Sequence, residues 1–346
     1  MIIKENINLK EHNTFGIDAN ASWFAEYQSI EELQEVIRFR AEKSKEIGET
    51  CPILHIGQGS NLLFLKDYKG IVLHSALRDI VPVSQTGEKV IIRVGGGVVF
   101  DNLIEFCLDK GWYGLENLSL IPGEVGASAV QNIGAYGVEV KDCISSIELV
   151  DLTTGKLCTM SRADMNYGYR YSILKSPEMW GRFAVTYVIF ELSTTFVPQL
   201  SYGGLRNAIS SYSETETTFP KTIREVIISM RQGKLPDPKI LGNAGSFFMN
   251  PVLHVDVFNQ IKANYPDVPS YIVDEDHVKV PAGWLIEQCG WKGRKLGPAG
   301  VYEKQALVLV NHGGATGSDI VALSDAVRDD VKSRFGVDIR PEVNFI

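Results

Sequence analysis

The sequence lacks the short motifs by which several large enzyme classes are recognised. It contains no G-x-x-x-x-G-K-[ST] loop, no H-E-x-x-H pair and no G-x-S-x-G elbow. These absences argue against a P-loop nucleotidase, a zinc metalloprotease of that type and a serine hydrolase. The six histidines are scattered along the chain, and neither they nor the cysteines have the spacing of a metal site.

Cysteine and long apolar runs are also scarce. The five cysteines are odd in number, widely spaced and without a C-x-x-C pair, which is typical of reduced core residues and not of a disulfide framework. No apolar run approaches the roughly 18 residues of a membrane span, and the N-terminal MIIKENINLK has no signal-peptide core. We therefore expect a soluble, cytoplasmic protein without a membrane partner.

The chain has no excess of positive charge. It carries 34 basic and 42 acidic residues, for a net charge of -8. This balance argues against a nucleic-acid partner, although a local basic pocket is compatible with it. The 346 residues, 45% of them hydrophobic, suffice for two or three domains.

Glycine is abundant in one stretch, residues 121–137, which reads IPGEVGASAVQNIGAYG. Small residues at this density let a backbone run close to a ligand, because no Cβ keeps the two apart. Successive N–H groups in such turns can also hold phosphate oxygens. A glycine-rich surface loop that binds nothing is the alternative interpretation.

A second stretch of this kind, Gly57-Gln-Gly-Ser-Asn61, follows a short apolar strand. It begins like a dinucleotide fingerprint, but Leu62 replaces the third glycine and no clear βαβ unit follows. A Rossmann domain is therefore not expected. The glycines, Ser60 and Asn61 still suit a pyrophosphate, whereas a plain β-turn is the alternative.

Hydrophobic periodicity predicts an α+β protein. Ser29 and Glu32 form a capping-box pattern, and Gly111 ends a later helix. Helices are expected after Ser29, around 103–107, at 221–233, around 284–289 and at 318–335, and strands at 53–56, 70–74, 89–94, 147–152, 157–160, 183–192 and 306–310. A domain boundary is expected near 200–220, where SSYSETETTFP (210–220) is polar and is expected to be structureless.

Several polar residues stand in glycine-rich or aromatic surroundings. Arg170, Ser246 and Glu342 are the main candidates for chemistry, and Tyr202, Lys234, Asn250 and Gln305 accompany them. Taken singly, each has an ordinary explanation, such as a surface ion pair, a helix cap or a solvated carboxylate.

Ten motifs in a fixed order give these residues a common context. They are NTFGID (13–18), GQGSNLLF (57–64), GLENL-x-LIPG (114–123), QNIGAYGVE (131–139), GYR-x-S (168–172), KLPDPK (234–239), GNAGSFF-x-NP (242–251), AGWLI-x-QC (282–289), QALVLVN (305–311) and PEV-x-F (341–345). Over nearly the whole chain they resemble the UDP-N-acetylenolpyruvoylglucosamine reductase (MurB) family of peptidoglycan precursor synthesis. The segment around 201–205 resembles the tyrosine-bearing loop of the type I branch.

The resemblance implies an α+β fold in which two lobes of the vanillyl-alcohol-oxidase (PCMH) type clasp FAD beside a C-terminal α+β substrate domain. We expect the first lobe at 1–75, the second at 76–218 including the tyrosine loop, and the substrate domain at 219–346. The last residues are expected to return to the active site. The residues expected to bind FAD, without a covalent link, are Gly57, Gly59, Ser60, Asn61, Pro122, Gly123, Gly126, Ser128, Asn132, Gly134, Ala135 and Gly137.

The resemblance also implies a reaction in two halves, in which NADPH first reduces FAD and the reduced flavin then reduces UDP-N-acetylglucosamine enolpyruvate. Arg170 matches the family's catalytic arginine, Ser246 its proton donor to C2, and Glu342 its catalytic glutamate. Glu342 acts either as a protonated hydrogen-bond donor or by orienting its neighbours. The residues expected to hold the substrate are Tyr136, Tyr202, Lys234, Asn250 and Gln305.

Three positions depart from the family pattern. Met249 stands where many relatives carry lysine, and Ala127 and Ala129 stand where serine and proline are common. Few residues follow Glu342, so we expect little of the chain to brace it. Two alternatives are weighed against the reductase: another FAD-linked oxidase of the same fold, and a non-catalytic nucleotide-sugar-binding protein.

Overall fold

A computed structural model describes residues 2–346, and the chain divides into two compact units. The first unit comprises the residues up to Ile7, Ala21–Gln58 and Tyr68–Arg231. The second comprises Asn8–Asn20, Gly59–Asp67 and Gln232–Ile346. The division into three domains at residues 75 and 218 stays a prediction.

Helices occur in both units. The α-helices of the described residues are α1 Ile30–Ile47, α2 Phe100–Asp109, α3 Val125–Gln131, α4 Gly203–Ala208, α5 Phe219–Lys234, α6 Val255–Asn264, α7 Ala282–Gln288 and α8 Gly317–Phe335. Short 3-10 helices occupy Lys10–His12, Glu116–Leu118, Val140–Asp142 and Ile173–Lys175. None of the helices within residues 2–346 combines the length and the apolarity that crossing a bilayer requires.

Most strands are short. They are β1 Ile2–Asn8, β2 Asn20–Tyr27, β3 Ile53–Ile56, β4 Leu62–Leu63, β5 Tyr68–Ser75, β6 Ile80–Thr86, β7 Lys89–Gly95, β8 Gly134–Ala135, β9 Val138–Glu139, β10 Ile144–Asp151, β11 Leu157–Ser161, β12 Phe183–Ser193, β13 Gly242–Asn243, β14 Val252–His254, β15 Tyr271–Ile272, β16 His277–Lys279, β17 Lys295–Leu296, β18 Ala299–Val301, β19 Leu309–Asn311 and β20 Asn344–Phe345.

The first unit contains two larger sheets. One has the order β1-β2-β5-β3, with β2, β5 and β3 parallel, and α1 packs Leu33 and Val36 into its core. The other is antiparallel with the order β11-β10-β12-β7-β6, and α2 and α3 bury Leu103 and Ala129 in its core. Helix α1 begins where the Ser29 side chain accepts a hydrogen bond from the Glu32 backbone N–H, as the capping pattern predicts.

The second unit is built on the sheet β13-β19-β18-β17, against which α8 packs. A capping box of Thr316 and Asp319 starts α8, and Gly336 in the left-handed conformation ends it. A smaller sheet has the order β14-β16-β15, and β20 pairs in parallel with β4. These elements set the positions of the segments 59–61, 242–250, 305–308 and 341–346.

Two expectations about local structure were wrong. Residues 306–308 form a turn, in which Val308 N–H donates to Gln305 O, and only Leu309–Asn311 is a strand. The run is buried all the same, and hydrophobicity alone cannot separate a buried turn from a buried strand. Residues 121–137 contain α3 in place of a continuous loop, whereas residues 210–218 lie outside helices and strands, as expected.

All five cysteines are free thiols. Cys51, Cys107 and Cys143 are buried, whereas Cys158 and Cys289 are only partly buried. Burial raises the pKa of Cys107 and of Cys143 to about 12, which keeps these thiols protonated and unreactive. The expectation of core cysteines therefore holds for three of the five.

Candidate active site

The two glycine-rich stretches meet within the first unit. A Cβ on Gly57, which follows β3, would lie 3.1 Å from Glu124 Oε2 and 3.4 Å from the Ala127 methyl group. The next residue, Gln58, accepts a hydrogen bond from the Gly123 N–H through Oε1 at 3.1 Å. The approach is close because Gly57 has no side chain, and Gly123 has a φ of +121° that favours glycine.

Several polar groups of the second stretch have partners inside the protein. Val125 N–H donates to Val98 O, Gly126 N–H donates to Gly96 O, and the Ser128 hydroxyl donates to Val125 O at 2.7 Å. A Cβ on Gly126 would lie 3.3 Å from Gly96 O. Small residues at these positions therefore let α3 pack against the end of β7, whereas Pro122 is exposed. Direct contact of these residues with FAD stays a prediction.

Asn132 organises the turn that follows α3. It has a positive φ of 48°, is fully buried, and donates through Nδ2 to Gly168 O at 2.8 Å and to Glu139 at 3.1 Å. Lys141 N–H donates to its Oδ1. The hairpin of β8 and β9, with Gly134 and Ala135 on one strand, is thereby tied to the segment that carries Arg170.

Arg170 occupies a tight turn in which Gly168 and Tyr171 exchange two backbone hydrogen bonds. Its φ is +55°, a conformation that costs a non-glycine residue about 1–2 kcal/mol and persists where surrounding structure enforces it. Nη2 donates to Gly134 O at 2.6 Å, and Nη1 donates to Asn132 O at 3.4 Å. These two carbonyl oxygens fix the position of the guanidinium.

Tyr136 and Tyr202 lie against each other in the first unit. Their ring centroids are 5.3 Å apart in an edge-to-face arrangement. Tyr136 has a φ of +49°, and its carbonyl accepts a hydrogen bond from the Asn117 side chain. A Cβ on Gly137 would lie 2.8 Å from the Ser201 hydroxyl, so glycine at this position lets the tyrosine loop pack closely on the hairpin.

Sequence reasoning missed Arg231. It lies on α5, and its Nε donates to Leu120 O at 3.3 Å. Burial lowers the pKa of Arg231, and the nearby Arg170 charge lowers it further. The nearby Tyr136 opposes this shift. Arg231 precedes Lys234 by three residues, so the two share one face of a helix, which was the available signal.

In the second unit, Gly59 packs against the N-terminal turn. It has a φ of +65°, and a Cβ there would lie 2.1 Å from His12 O, which no other residue could tolerate. Ser60 is half-buried. Asn61 donates through Nδ2 to Glu342 O at 3.3 Å, and its carbonyl accepts the Asn344 N–H at 3.1 Å. Asn61 is thus tied directly to the backbone of the segment that carries Glu342.

Ser246 and Glu342 lie on neighbouring segments of the second unit. Phe247 N–H donates to Leu307 O, and Glu342 N–H donates to Phe247 O, each at 2.7 Å. Met249 N–H donates to Arg340 O at 2.9 Å. Ser246 is exposed at the start of this arrangement, whereas Phe247 and Phe248 are buried. The structure therefore brings the hydroxyl-bearing and carboxyl-bearing segments side by side.

The predicted substrate residues of the second unit surround the same segments. Asn250 Oδ1 accepts the Ala282 N–H at the start of α7. Gln305 Oε1 accepts the Leu307 N–H and lies 3.0 Å from where a Cβ on Gly283 would be. Lys234 is exposed at the end of α5. No group of three or more His, Cys, Asp or Glu side chains within residues 2–346 is arranged to hold a metal ion.

Family profiles cover most of the chain. The profile of the UDP-N-acetylenolpyruvoylglucosamine reductase C-terminal domain matches residues 237–346, and that of an FAD binding domain matches residues 21–161. The chain is 52% identical over 344 residues to the UDP-N-acetylenolpyruvoylglucosamine reductase of Bacteroides fragilis strain YCH46, covering 99% of this chain and 100% of the relative. It is 43% identical to that of Porphyromonas gingivalis strain ATCC 33277 over the whole of both chains.

Solved structures agree on the fold. The crystal structure of MurB from Thermus caldophilus matches with a TM-score of 0.67 and 22% identity, and the match covers 99% of both chains. The 6-hydroxy-D-nicotine oxidase of Arthrobacter nicotinovorans matches with a TM-score of 0.54 and 15% identity, over 97% of this chain and 86% of the oxidase. The predicted α+β fold, with its FAD-binding part of the PCMH type and its C-terminal domain, is confirmed.

The full-length relatives decide between the alternatives that the sequence left open, because they name one activity at high identity over whole chains. The predictions of a reductase, and of UDP-N-acetylmuramate dehydrogenase activity, are confirmed. The chain belongs to the UDP-N-acetylenolpyruvoylglucosamine reductase family and is a MurB oxidoreductase of peptidoglycan precursor synthesis.

Proposed function

We propose that this chain binds FAD non-covalently, takes electrons from NADPH and reduces UDP-N-acetylglucosamine enolpyruvate, with Arg170, Ser246 and Glu342 as catalytic residues. The family's use of FAD and NADPH and the matched FAD-binding profile at residues 21–161 support the two cofactor assignments. Action in the cytoplasm, without a nucleic-acid partner, stays a prediction.

The glycine-rich segments of the first unit fit a flavin nucleotide. Gly57 and the segment Gly123–Ala127 approach so closely that a Cβ on Gly57 would crowd Glu124 and Ala127. Two segments rich in small residues, side by side, let a diphosphate and its attached rings approach the backbone closely. FAD, when bound, supplies the hydride transfer, and the protein orients the reactants and adjusts their charges.

Arg170 is the residue we propose to stabilise negative charge. Addition of hydride to the vinyl group leaves charge delocalised into the carboxylate of the substrate. A guanidinium already held on Gly134 O and Asn132 O requires little reorganisation when that charge develops. This pre-organised cation is the observation that carries the proposal. The partly buried Arg231 adds a second positive charge nearby, as a substrate with several negative groups requires.

Ser246 is the residue we propose to donate the proton to C2. An alcohol is a weak acid, yet the carbanion is a strong base, so a well-placed hydroxyl suffices. Exposure of Ser246 between the Leu307 and Glu342 backbones supports this role, because its hydroxyl is accessible while its backbone is fixed. We propose that Glu342 assists Arg170, either as a protonated hydrogen-bond donor or by orienting its neighbours.

The remaining residues are proposed to hold the nucleotide sugar. Lys234 and Arg231 provide positive charge for the diphosphate in a chain whose net charge is -8. Asn250 and Gln305 provide amides beside the Ser246 segment, and Tyr136 and Tyr202 provide an aromatic pair. Tyr202 is 38% exposed, which leaves ring surface for a ligand to cover.

The test separates the two halves of the reaction by stopped-flow absorbance of the flavin. Ser246→Ala is expected to leave flavin reduction by NADPH unchanged and to slow reoxidation by the enolpyruvyl substrate by about 10²-fold or more, the usual effect of a general acid. Ser333→Ala is the matched control, because Ser333 is an exposed serine of the same unit. Equal slowing of both halves would contradict the role of Ser246, and colourless purified protein would contradict FAD binding.

A further inference from the structure

His74, on β5, lies between two carboxylates of the first unit. Its Nδ1 is 2.9 Å from Glu26 Oε2, and its Nε2 is 2.9 Å from Glu124 Oε1. An ionised carboxylate only accepts hydrogen bonds, so both ring nitrogens must carry protons for both bonds to form. With both carboxylates as acceptors, the bridge therefore contains an imidazolium.

The two carboxylates have different surroundings. The Glu26 side chain, opposite His74 in the pairing of β2 and β5, is 42% exposed, whereas that of Glu124 is 5% exposed. Among the described residues, His74 is the cation that pairs with Glu124. The other oxygen of Glu124 lies 3.1 Å from where a Cβ on Gly57 would be. The buried Glu124 carboxylate, whose cationic partner is His74, thus lies close to the first glycine-rich segment at Gly57.

The other side chains packed around His74 are uncharged at neutral pH. His55, on β3, is hydrogen-bonded to the Tyr27 hydroxyl on β2, and burial lowers its pKa to about 3. Burial raises the pKa of Tyr27 far above neutrality, and the Phe24 ring stacks on His74. Burial opposes the charge on His74, but Glu124 and Glu26 outweigh it and raise its pKa.

We propose that Glu26, His74 and Glu124 are positioning residues for the flavin, which hold the Gly57–Gln58 segment against the Gly123–Ala127 segment at the start of α3 in the arrangement that FAD requires. Glu124 directly precedes α3 and bonds to His74, which lies opposite Ile56, the residue before Gly57, in the pairing of β5 and β3. The inference rests on the proposed FAD site and adds a dependence of cofactor retention on the charge of one histidine.

The sign of that dependence follows from the raised pKa. A histidine whose pKa is higher in the folded protein keeps its bonds below its ordinary pKa of 6.5 and loses them as the pH rises through the folded value. A neutral imidazole has one N–H, so one of the two carboxylates then faces a lone pair. The contact between the glycine-rich segments is weakened, and FAD is released more readily at higher pH.

The experiment uses the holoenzyme as purified, ultrafiltered at a series of pH values, with the released FAD quantified by its fluorescence. Loss of one charge-assisted hydrogen bond corresponds to about tenfold weaker FAD binding, which is the change we expect between about pH 6 and pH 9. A dissociation constant that does not change over this range would overturn the inference.

Two variants identify the groups responsible. Glu26→Gln provides an amide N–H for the unprotonated nitrogen, so a neutral His74 keeps both partners and the pH dependence should disappear. Glu124→Gln, which changes the buried partner of His74, should also remove the pH dependence. Glu26 is exposed enough that its variant is expected to fold. The matched control is His277→Asn, which removes a more exposed histidine paired with Asp274 and should keep the wild-type profile.

The outcomes distinguish failure of this inference from failure of the proposed FAD site. If the wild-type protein retains no FAD at any pH, the proposed cofactor site fails and the inference fails with it. If FAD is retained with a wild-type pH profile in both Glu26→Gln and Glu124→Gln, only the inference fails. Loss of the pH dependence in either variant, with the His277→Asn profile unchanged, supports it.

Discussion

The arginine-bearing region of the first unit and the serine-bearing region of the second are fixed in different ways. Arg170 sits in a turn with left-handed backbone, and its guanidinium is bonded to the carbonyls of Gly134 and Asn132. Ser246 has its backbone flanked by fixed segments, while its side chain is exposed. In the first region the structure specifies the position of the side chain, and in the second it specifies the backbone.

The difference corresponds to the chemistry proposed for each group. Electrostatic stabilisation is most effective when the charge is already in place and does not reorganise during the reaction. A proton donor needs a position within hydrogen-bond reach of its acceptor, and the rotation of one hydroxyl can provide the final adjustment. Mutations in the arginine-bearing region are therefore expected to affect catalysis more steeply than those around the serine.

The variant Arg170→Lys is the strongest test of the difference between the two regions. A lysine keeps the positive charge but cannot donate to both carbonyls with a planar fork. We expect reoxidation of the flavin by the enolpyruvyl substrate to slow by about 10²–10³-fold, the usual cost of removing one stabilising donor. Stopped-flow absorbance measures this rate, and the exposed Arg162 provides Arg162→Lys as the control. A wild-type rate would show that charge alone is sufficient.

Gly134→Ala tests the arginine-bearing region further, because it disturbs the contacts that hold the Arg170 guanidinium. The added methyl would lie 2.9 Å from Val138 O and 3.0 Å from Arg170 Nη1. Overpacking of this kind typically costs about 1–3 kcal/mol of unfolding free energy, measured by urea denaturation. Substrate-dependent reoxidation should slow as well, because the guanidinium is displaced.

The control for this variant is Gly233→Ala in α5, where a Cβ meets nothing within 4 Å. Alanine is favoured over glycine inside a helix by roughly 0.5–1 kcal/mol, so this variant should be slightly more stable. Equal destabilisation of both variants would show that Gly134 has no special role beside Arg170.

The smallest expected effect comes from Phe345→Ala in the serine-bearing region. The Phe345 ring lies 6.1 Å from the buried Phe247 ring but is itself partly exposed. Its removal should cost about 1 kcal/mol of unfolding free energy in urea denaturation. Substrate-dependent reoxidation should slow only a few-fold, because the backbone bonds around Phe247 remain. A loss as large as that of Arg170→Lys would contradict the difference between the two regions.

The sequence predicted most of the architecture, because its signals are local. The capping residues at Ser29 and the helix end at Gly111 were readable from neighbouring residues. The order of ten motifs identified the family. What could not be predicted were properties that depend on distant partners, such as the partly buried charge of Arg231 or the bridge from His74 to Glu124.

The glycines correctly indicated that another group approaches the backbone closely, but the sequence did not identify that group. At Gly126 the close neighbour is the Gly96 carbonyl, and at Gly59 it is the His12 carbonyl. Both demand a residue without a side chain for reasons internal to the fold. Ala129 lies in the core of the first unit, so its difference from the family pattern concerns packing. A single sequence does not separate these reasons from contact with a ligand.

The short segment after Glu342 is braced, contrary to expectation, because β20 extends β4 as a parallel neighbour and Ile346 exchanges backbone hydrogen bonds with Leu63 and Leu65. The register of two paired strands fixes the number of residues that lead into them, because a slip of one position turns each side chain to the opposite face. The number of residues between Glu342 and β20 is therefore constrained as tightly as their identity. Lengthening or shortening this interval by a single residue would misdirect the carboxyl group even with every side chain of the site unchanged.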